Sequence, residues 1–289
     1  MPSTRDIRRR IKGVRNIRQV TRAMNMIAAA RLRRAQAKAE SARPYAERLS
    51  AILQDVLASG VSTHHPLLVE RPVKNIGLLV ISSDRGLCGA FNAGILREAG
   101  RFVEEQTAEV RLLTVGRKAR EFFQRMEIPI DHSFPQPSRD VRLEEVGAVS
   151  KQLISDYSSG RYDQIHLVYA QFLSILKSEP SVIQLLPVPQ PGSEERTVPR
   201  TAVYQFEPVA EELLGTLLPQ YVEVVIYRAL VESLASEQAA RMVAMKAATD
   251  SASDMIETLT RQYNRVRQGS ITTQILEVVS GAAALEPEK

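Results

Sequence analysis

The chain of 289 residues is 44% hydrophobic and 25% charged, an ordinary globular composition that excludes a wholly disordered protein. Its single cysteine, Cys88, excludes an intramolecular disulfide framework and a thiolate zinc site. The formal net charge of +5 conceals an asymmetry, because residues 1–38 carry twelve bases and one acid, or +11, whereas residues 207–289 sum to −5.

The longest uncharged stretch near the N-terminus, residues 23–30, is too short to span a bilayer, and no signal peptide precedes it. We therefore expect a soluble chain, able to dock on a membrane complex. Cys88 is expected to be a small buried residue in a reducing compartment.

Residues 4–58 are predicted to form one long helix. Their apolar residues recur at spacings of three and four, which is near the coiled-coil period. We expect Pro44 to kink the helix and Gly60 to end it. The predicted apolar stripe is Ile7, Ile11, Val14, Ile17, Val20, Met24 and Ile27.

The middle of the chain, residues 74–200, alternates short apolar runs with amphipathic segments and is predicted to be a compact α/β domain. Three strands and three helices are predicted, with a fourth strand left open at 181–186. The strands are predicted at 75–82, 110–115 and 165–169, and the helices at 92–106, 117–126 and 142–159.

A second long helix is predicted over residues 208–286, and Pro219 is expected to break or restart it. Both terminal helices are too long for the central domain to cover, and their charges are opposite. We therefore predict that residues 1–58 and 208–286 pair as an antiparallel coiled coil. The second apolar stripe is Tyr221, Val225, Leu230, Leu234, Ala248, Ala252, Met255, Leu259 and Val266.

Catalytic signatures are missing from the sequence. There is no Walker phosphate loop, no G-x-S-x-G elbow and no metal-binding spacing among the four histidines. The turn at 86–89 follows a strand but lacks the G-x-G-x-x-G spacing, so a tight turn is favoured over a nucleotide site. We expect no catalysis, cofactor or metal in this chain.

Several blocks, in order along the whole chain, resemble the gamma subunit of F-type ATP synthases. Gln274 stands where that family usually has Glu, and the chain lacks the cysteine-bearing insert of the chloroplast form, which favours a bacterial type. The blocks are Arg5–Arg8, Ile11–Val14, Thr21–Met24, Met26–Ala29, Arg43–Tyr45, SDRGLCG at 83–89, SEQAARMVAM at 236–245, RQGSIT at 267–272 and EVVSGAA at 277–283.

The resemblance implies a coiled coil with a Rossmann-like α/β domain that acts as a rotor shaft. The shaft would turn inside the ring of α and β subunits, on a ring of membrane c subunits, with the ε subunit alongside. Rotation driven by protons or sodium ions would then change the conformation of each catalytic β subunit in turn. The location implied is the cytoplasmic side of the cell membrane, as a peripheral subunit.

The resemblance also implies contact residues. Met24 could equally be a coil core position, Arg267 could equally make a salt bridge within the coil, and the aromatic pair 204 and 206 could pack under the α/β domain. Contacts with the α/β ring would be made by Arg22, Met24, Arg241, Arg267, Gln268, Thr272 and Gln274. Contacts with the c-ring and ε would be made by Tyr204, Phe206 and Glu207.

The basic arm and the α/β segment also suggest two other classes of protein. A nucleic-acid-binding coiled coil would use the basic arm and would show steep salt dependence, but the α/β segment lacks a basic aromatic platform. A dinucleotide-dependent enzyme would need the glycine-rich fingerprint that is absent. The absence of a thermal shift with nucleotides would exclude the enzyme.

Overall fold

The computed structural model describes residues 3–58, 65–137, 141–189 and 210–283. The chain divides into two compact units. The terminal unit consists of residues 1–27 and 242–289, and the central unit of residues 28–241. Each unit is described by itself below.

Helix α1 spans Thr4–Ala58 and is followed by a single 3₁₀ turn at Pro66–Leu68. The central elements are β1 (Asn75–Ile81), α2 (Phe91–Glu105), β2 (Glu109–Val115), α3 (Arg117–Arg125), β3 (Ile130–Phe134), α4 (Leu143–Ser158), β4 (Gln164–Phe172) and β5 (Ser178–Leu186). Helix α5 spans Ala210–Ala283. The predicted α/β segment between two long terminal helices is confirmed.

The central unit contains a five-stranded sheet in the order β3-β2-β1-β4-β5. The first four strands are parallel, and β5 runs antiparallel to β4. The fourth strand left open by the sequence therefore exists and is longer than expected. Strand β3 was not predicted, because its five residues at the sheet edge are only half-buried or exposed and carry no apolar run.

Two apolar clusters lie on opposite faces of this sheet. Leu78 and Val80 of β1 face α2 and α3, while Leu79 and Ile81 face α4 and the long helices. Such alternation is the consequence of the two-residue period of a strand. Leu53 of α1 belongs to the second cluster together with residues 214–231 of α5, so the long helices contribute to the core of this unit.

Pro219 does not interrupt α5, which contradicts the expected break. Its neighbours Leu218 and Val222 are fully buried in the central core. An interior proline costs about 3 kcal/mol of helix stability, which is comparable to the burial of two such side chains at about 1.5–3 kcal/mol each. Tertiary packing therefore holds the helix through the proline. Pro44 likewise lies within α1.

In the terminal unit the two helices pair in antiparallel fashion. Asn25 donates to the carbonyl of Met242 at 2.7 Å, and the hydroxyls of Thr21 and Thr249 are 2.8 Å apart. Further along, Arg8 donates to the hydroxyl of Tyr263 at 2.6 Å. As the residue number increases along α1, the number of its partner on α5 decreases, as predicted for an antiparallel coiled coil.

The face of α1 that is buried differs from the predicted stripe. Ile7 and Ile11 are buried as expected, but Ile17, Val20 and Ile27 are 57%, 58% and 54% exposed. Val20 lies nine residues beyond Ile11, which is two and a half turns at 3.6 residues per turn and places it on the opposite side. The predicted stripe has three successive spacings of three residues between Ile11 and Val20. Because each spacing is shorter than one helical turn, the stripe rotates away from the contact face and onto the exposed surface.

From Thr21 to Ala35 the contact face follows alternating spacings of four and three, but Arg18, which the same pattern would include, is exposed. It continues from Ile11 through small and polar residues, Thr21 and Asn25, before returning to Ala28, Leu32 and Ala35. Within α5 the predicted position Met255 is also wrong, because its side chain is 53% exposed. The stripe of apolar residues that the sequence shows is thus partly a solvent-facing surface.

Candidate interaction surfaces

The basic face of α1 presents Arg22 to solvent, whereas Met24, two residues later, is half-buried. Both lie in the terminal unit, beside the exposed apolar residues Val20, Met26 and Ile27. A mixed surface of guanidinium groups and aliphatic side chains is suited to a protein partner that offers carboxylates and apolar contacts. The role of Arg22 and Met24 in such a contact stays a prediction.

The end of α5 forms a second exposed surface. Every described side chain in the range 267–281 is exposed, including Arg267, Gln268, Thr272 and Gln274. The Thr272 hydroxyl donates to the carbonyl of Gln268 at 3.0 Å, one turn earlier in the same helix. The same stretch exposes the large apolar residues Ile271, Ile275, Leu276, Val278 and Val279.

Arg241 lies elsewhere, in the interior of the central unit, where the residue is only 7% exposed. Its guanidinium pairs with Glu237 one turn earlier, at 2.5 Å, and donates to the carbonyl of Gly86 at 3.2 Å. These bonds are made within the chain, and its contact with a partner subunit stays a prediction. Tyr204, Phe206 and Glu207 lie outside the described residues.

The turn after β1 that Arg241 contacts is tight, as the sequence predicts. Leu87 and Gly89 have φ angles of 61° and 57°, and Leu87 points its side chain to solvent. The Ser83 hydroxyl donates to the carbonyl of Arg85 at 2.7 Å and accepts from the Asn92 side-chain N–H at 2.8 Å. Cys88 is buried beneath the turn, and this burial raises the pKa of its thiol, as expected for an inert residue.

The start of α3, which adjoins this turn, does not form a phosphate cradle. The first amides of the helix donate to the chain itself, Arg117 to the Asp84 carboxylate at 2.8 Å and Ala119 to the Ser82 hydroxyl at 2.8 Å. The Lys118 amide donates to the carbonyl of Ser83 at 3.1 Å. Because these N–H groups are satisfied, the anion-binding potential of a helix N-terminus is already used by Asp84.

Asp131 on β3 carries a buried carboxylate that no sequence motif marks. It accepts from the Tyr162 hydroxyl at 2.6 Å and from the guanidinium groups of Arg161 and Arg111 at 2.9 and 3.2 Å. Burial opposes ionisation of Asp131, but the Tyr162 hydrogen bond and the two positive charges outweigh it, and its pKa lies below the ordinary value. Burial, with the Asp131 hydrogen bond, raises the pKa of Tyr162.

Within the part of the chain that the structure describes, no group of three or more His, Cys, Asp or Glu is arranged to hold a metal ion. The helices in these described ranges also contain no apolar stretch that could span a bilayer. The features that stand out are surfaces: a basic helix face and an exposed apolar helix end.

Comparison with known proteins gives the family. The ATP synthase family model matches residues 3–285. The ATP synthase gamma chain of Desulfitobacterium hafniense is 46% identical over 286 residues, covering 99% of this chain and all of that protein. This chain belongs to the ATP synthase gamma-chain family. The gamma chain of Heliobacterium modesticaldum, at 44% identity over 290 residues, also aligns over 99% of this chain.

Solved structures agree with this membership. The central stalk and c-ring structure of the Tetrahymena thermophila mitochondrial ATP synthase contains a chain 29% identical to this one, with a TM-score of 0.60 over 79% of this chain and 99% of that chain. A chain from the Euglena gracilis mitochondrial ATP synthase is 15% identical and covers 98% of this chain and 94% of that chain. Its TM-score of 0.68 shows that the two chains share a fold.

Proposed function

We propose that this chain is the central rotor shaft of an F-type ATP synthase. It couples ion-driven rotation of a membrane c-ring to conformational cycling of the catalytic β subunits, and it performs no catalysis itself. The observation that carries the proposal is the match to gamma chains from end to end, at 46% identity. The antiparallel pairing of α1 with α5 supports it, because paired helices resist bending and twisting better than a single helix.

Its partners are the α and β subunits of the catalytic ring, the ε subunit and the c-ring, and it associates with the cytoplasmic side of the cell membrane only through the complex. The exposed apolar end of α5 supports a protein partner there, since an exposed cluster of five large aliphatic residues is typical of an interaction site. We assign Arg22, Met24, Arg267, Gln268, Thr272 and Gln274 to contacts with the ring, and Tyr204, Phe206 and Glu207 to contacts with the c-ring or ε.

The division of the chain that follows from this role is a shaft of residues 1–58 and 208–286 and an α/β domain of residues 74–200. Coupling requires that the shaft contact each β subunit differently in each orientation, because an effector shifts an equilibrium only by its differential affinity for the two states. An asymmetric pair of helices with one basic side provides such a difference.

The test is assembly. Co-expression with α and β subunits of an organism whose gamma chain matches should give a stoichiometric complex whose sustained ATP hydrolysis requires this chain. If the chain does not assemble with α and β, the rotor proposal is contradicted. If it instead elutes with nucleic acid and is released from it by salt, a nucleic-acid-binding coiled coil is favoured.

Arg22 offers a residue-level test, because its side chain is exposed and its reversal leaves the buried ion pair of Arg241 intact. In reconstituted vesicles, Arg22→Glu should reduce ions pumped per ATP hydrolysed by roughly two- to fivefold, as expected for about 0.5–1 kcal/mol from an exposed charge contact.

Arg15→Glu is the matched control, since it makes the same change of charge at another exposed position of α1. Equal losses in the two variants would indicate a general effect of charge, and unchanged pumping in Arg22→Glu would remove this residue from the contact surface.

A further inference from the structure

A partly buried polar bridge joins α5 to the segments that follow two strands within the central unit. Gln136, two residues beyond β3, donates its side-chain amide N–H to the Glu237 carboxylate at 2.5 Å. Its side-chain carbonyl accepts from the Asp84 backbone N–H at 2.8 Å, in the turn after β1. One amide side chain thus holds the helix with one end and the turn with the other.

The other half of the bridge lies on α5. Glu237 and Arg241 form an ion pair whose side chains are 5% and 9% exposed, and Arg241 donates onward to the carbonyls of Arg85 and Gly86. Both oxygens of the Glu237 carboxylate are occupied, one by Arg241 and one by Gln136. The ion pair is therefore fixed from both sides, which is the condition under which a buried charge pair is tolerated.

The neighbouring turn of α5 adds two further bonds to the sheet. Ser233 accepts from the Ala170 N–H at 3.0 Å, and Ser236 donates to the carbonyl of the same residue at 3.2 Å. Small side chains at Ala229, Ala235 and Ala239 are buried around these contacts and let the helix approach closely. Over only nine residues, 233–241, the helix is thus bonded to β4 and to the segments that follow β1 and β3.

Between Ser233 and Arg241 the buried apolar side chains of α5 are alanines, which interdigitate little with the sheet. Because burial is non-directional, these alanines constrain the orientation of this stretch less than the fully buried Leu218 and Val222 constrain the preceding turns. Hydrogen bonds to a charged partner are directional and about twice as strong as neutral ones. The bridge therefore adds directional contacts that hold residues 233–241 of α5 in one orientation within this unit.

We propose that Gln136 and Glu237 are positioning residues that lock α5 to the α/β domain, and that coupling of rotation to hydrolysis requires this lock. The inference rests on the proposed function, since it names the place where the domain holds the shaft. Arg241 acts here through the turn at 84–86 and need not touch another subunit.

The variant that tests the lock is Gln136→Glu. It keeps the size of the side chain and an oxygen for the Asp84 N–H, but it sets a second carboxylate against Glu237 in place of an N–H donor. In vesicles that hold the whole complex, read with proton- and sodium-sensitive dyes, ions pumped per ATP hydrolysed should fall about threefold or more, because like charges this close repel strongly. ATP hydrolysis per complex should stay near the wild-type rate.

The rescue variant is Gln136→Glu combined with Glu237→Gln, which exchanges donor and acceptor across the same contact and should restore the pumping ratio. Gln124→Glu, an equal change at an exposed position of α3, is the matched control and should behave as wild type. A purely structural role predicts parallel changes in thermal stability and pumping, whereas the lock predicts that pumping changes more.

Wild-type pumping ratios in the assembled Gln136→Glu complex would overturn the proposal, as would a loss that the exchange does not restore. If the single variant does not assemble while the exchanged pair assembles and couples normally, the bridge serves folding and the proposal is wrong. Failure of the wild-type chain to assemble or to pump would instead count against the proposed function.

Discussion

At the scale of single residues, the charged groups divide into those that bond within the chain and those that face outward, and the sequence shows no difference between them. Arg22 and Arg241 were both assigned to partner contacts by resemblance, yet Arg22 is exposed and Arg241 is enclosed by Glu237 and the turn after β1. Burial of a guanidinium depends on a carboxylate supplied nearby. The sequence shows that Glu237 and Arg241 are an i, i+4 pair of opposite charge, but it does not show that both side chains are buried.

Asp131 gives a prediction at this scale. Asp131→Asn should lower the free energy of unfolding at neutral pH by about 1–3 kcal/mol, because it weakens hydrogen bonds to two partly exposed guanidinium groups and to a buried tyrosine. The native pKa of Asp131 is lowered, so its contribution is present above the ordinary value of 3.8 and is lost as the pH falls through the native pKa. The difference in the free energy of unfolding between wild type and Asp131→Asn should therefore become smaller as the pH falls below the native pKa of Asp131.

The measurement is urea unfolding of the chain at several pH values. Glu109→Gln is the control, since Glu109 pairs with the same Arg111 at 3.0 Å but from an exposed position, and its effect should be well under 1 kcal/mol. A variant at Asp131 that costs no more than this control, or whose deficit does not change in acid, would contradict the assigned role of the network.

At the scale of elements, the order of helices and strands followed from local pattern, whereas the buried face of α1 did not. The apolar residues Ile17, Val20 and Ile27 looked like a contact stripe, but the seam passes through Thr21 and Asn25. These polar residues bond to Thr249 and to the Met242 carbonyl across the pair. A polar residue at the helix–helix contact is compatible with a coiled coil when it is hydrogen-bonded across the pair, and it then sets the register. A prediction based only on the spacing of apolar residues does not detect such positions.

The tight connection between β2 and α3 gives a prediction for this scale. Gly116 has a φ of +91°, and a Cβ added there would lie 2.3 Å from the carbonyl oxygen of Ser82. Gly116→Ala should therefore destabilise the central unit by about 3 kcal/mol or more, since strain in φ adds to a clash with the backbone of the neighbouring strand.

Gly100→Ala serves as the control. Gly100 lies within α2, and no atom lies within 4 Å of an added Cβ, so the change should be neutral or stabilising by about 0.5–1 kcal/mol. Denaturant midpoints of the two variants measure the difference. Similar midpoints for both would show that the turn can relax, contrary to the geometry.

At the scale of the whole molecule, the chain consists of a unit with a packed sheet core and a unit of two paired helices. Beyond Val266, the side chains of α5 are exposed as far as Gly281. Helices without a packed face are marginally stable in water. Such an exposed apolar segment is consistent with a chain that completes its packing only in a larger assembly.

Hydrogen exchange should report this difference. In the isolated chain, amides in the range 267–281 should exchange far faster than those of β1 and β2, because local opening needs no loss of core contacts. In the assembled complex the same range should become protected, while protection of β1 and β2 changes little. Exchange that stays equally fast after assembly would exclude residues 267–281 from the contact with the ring.

Local patterns in the chain are sufficient to predict the two long helices, the α/β segment between them and the family, because helical period, strand runs and motif blocks are properties of neighbouring residues. Four further features follow only from long-range packing: the buried face of α1, the continuation of α5 through Pro219, the position of β3 at the sheet edge, and the bonds of Arg241 and Gln136 between α5 and the segments after β1 and β3. Each of these depends on a partner far along the chain, whose packing and charge outweigh local preference.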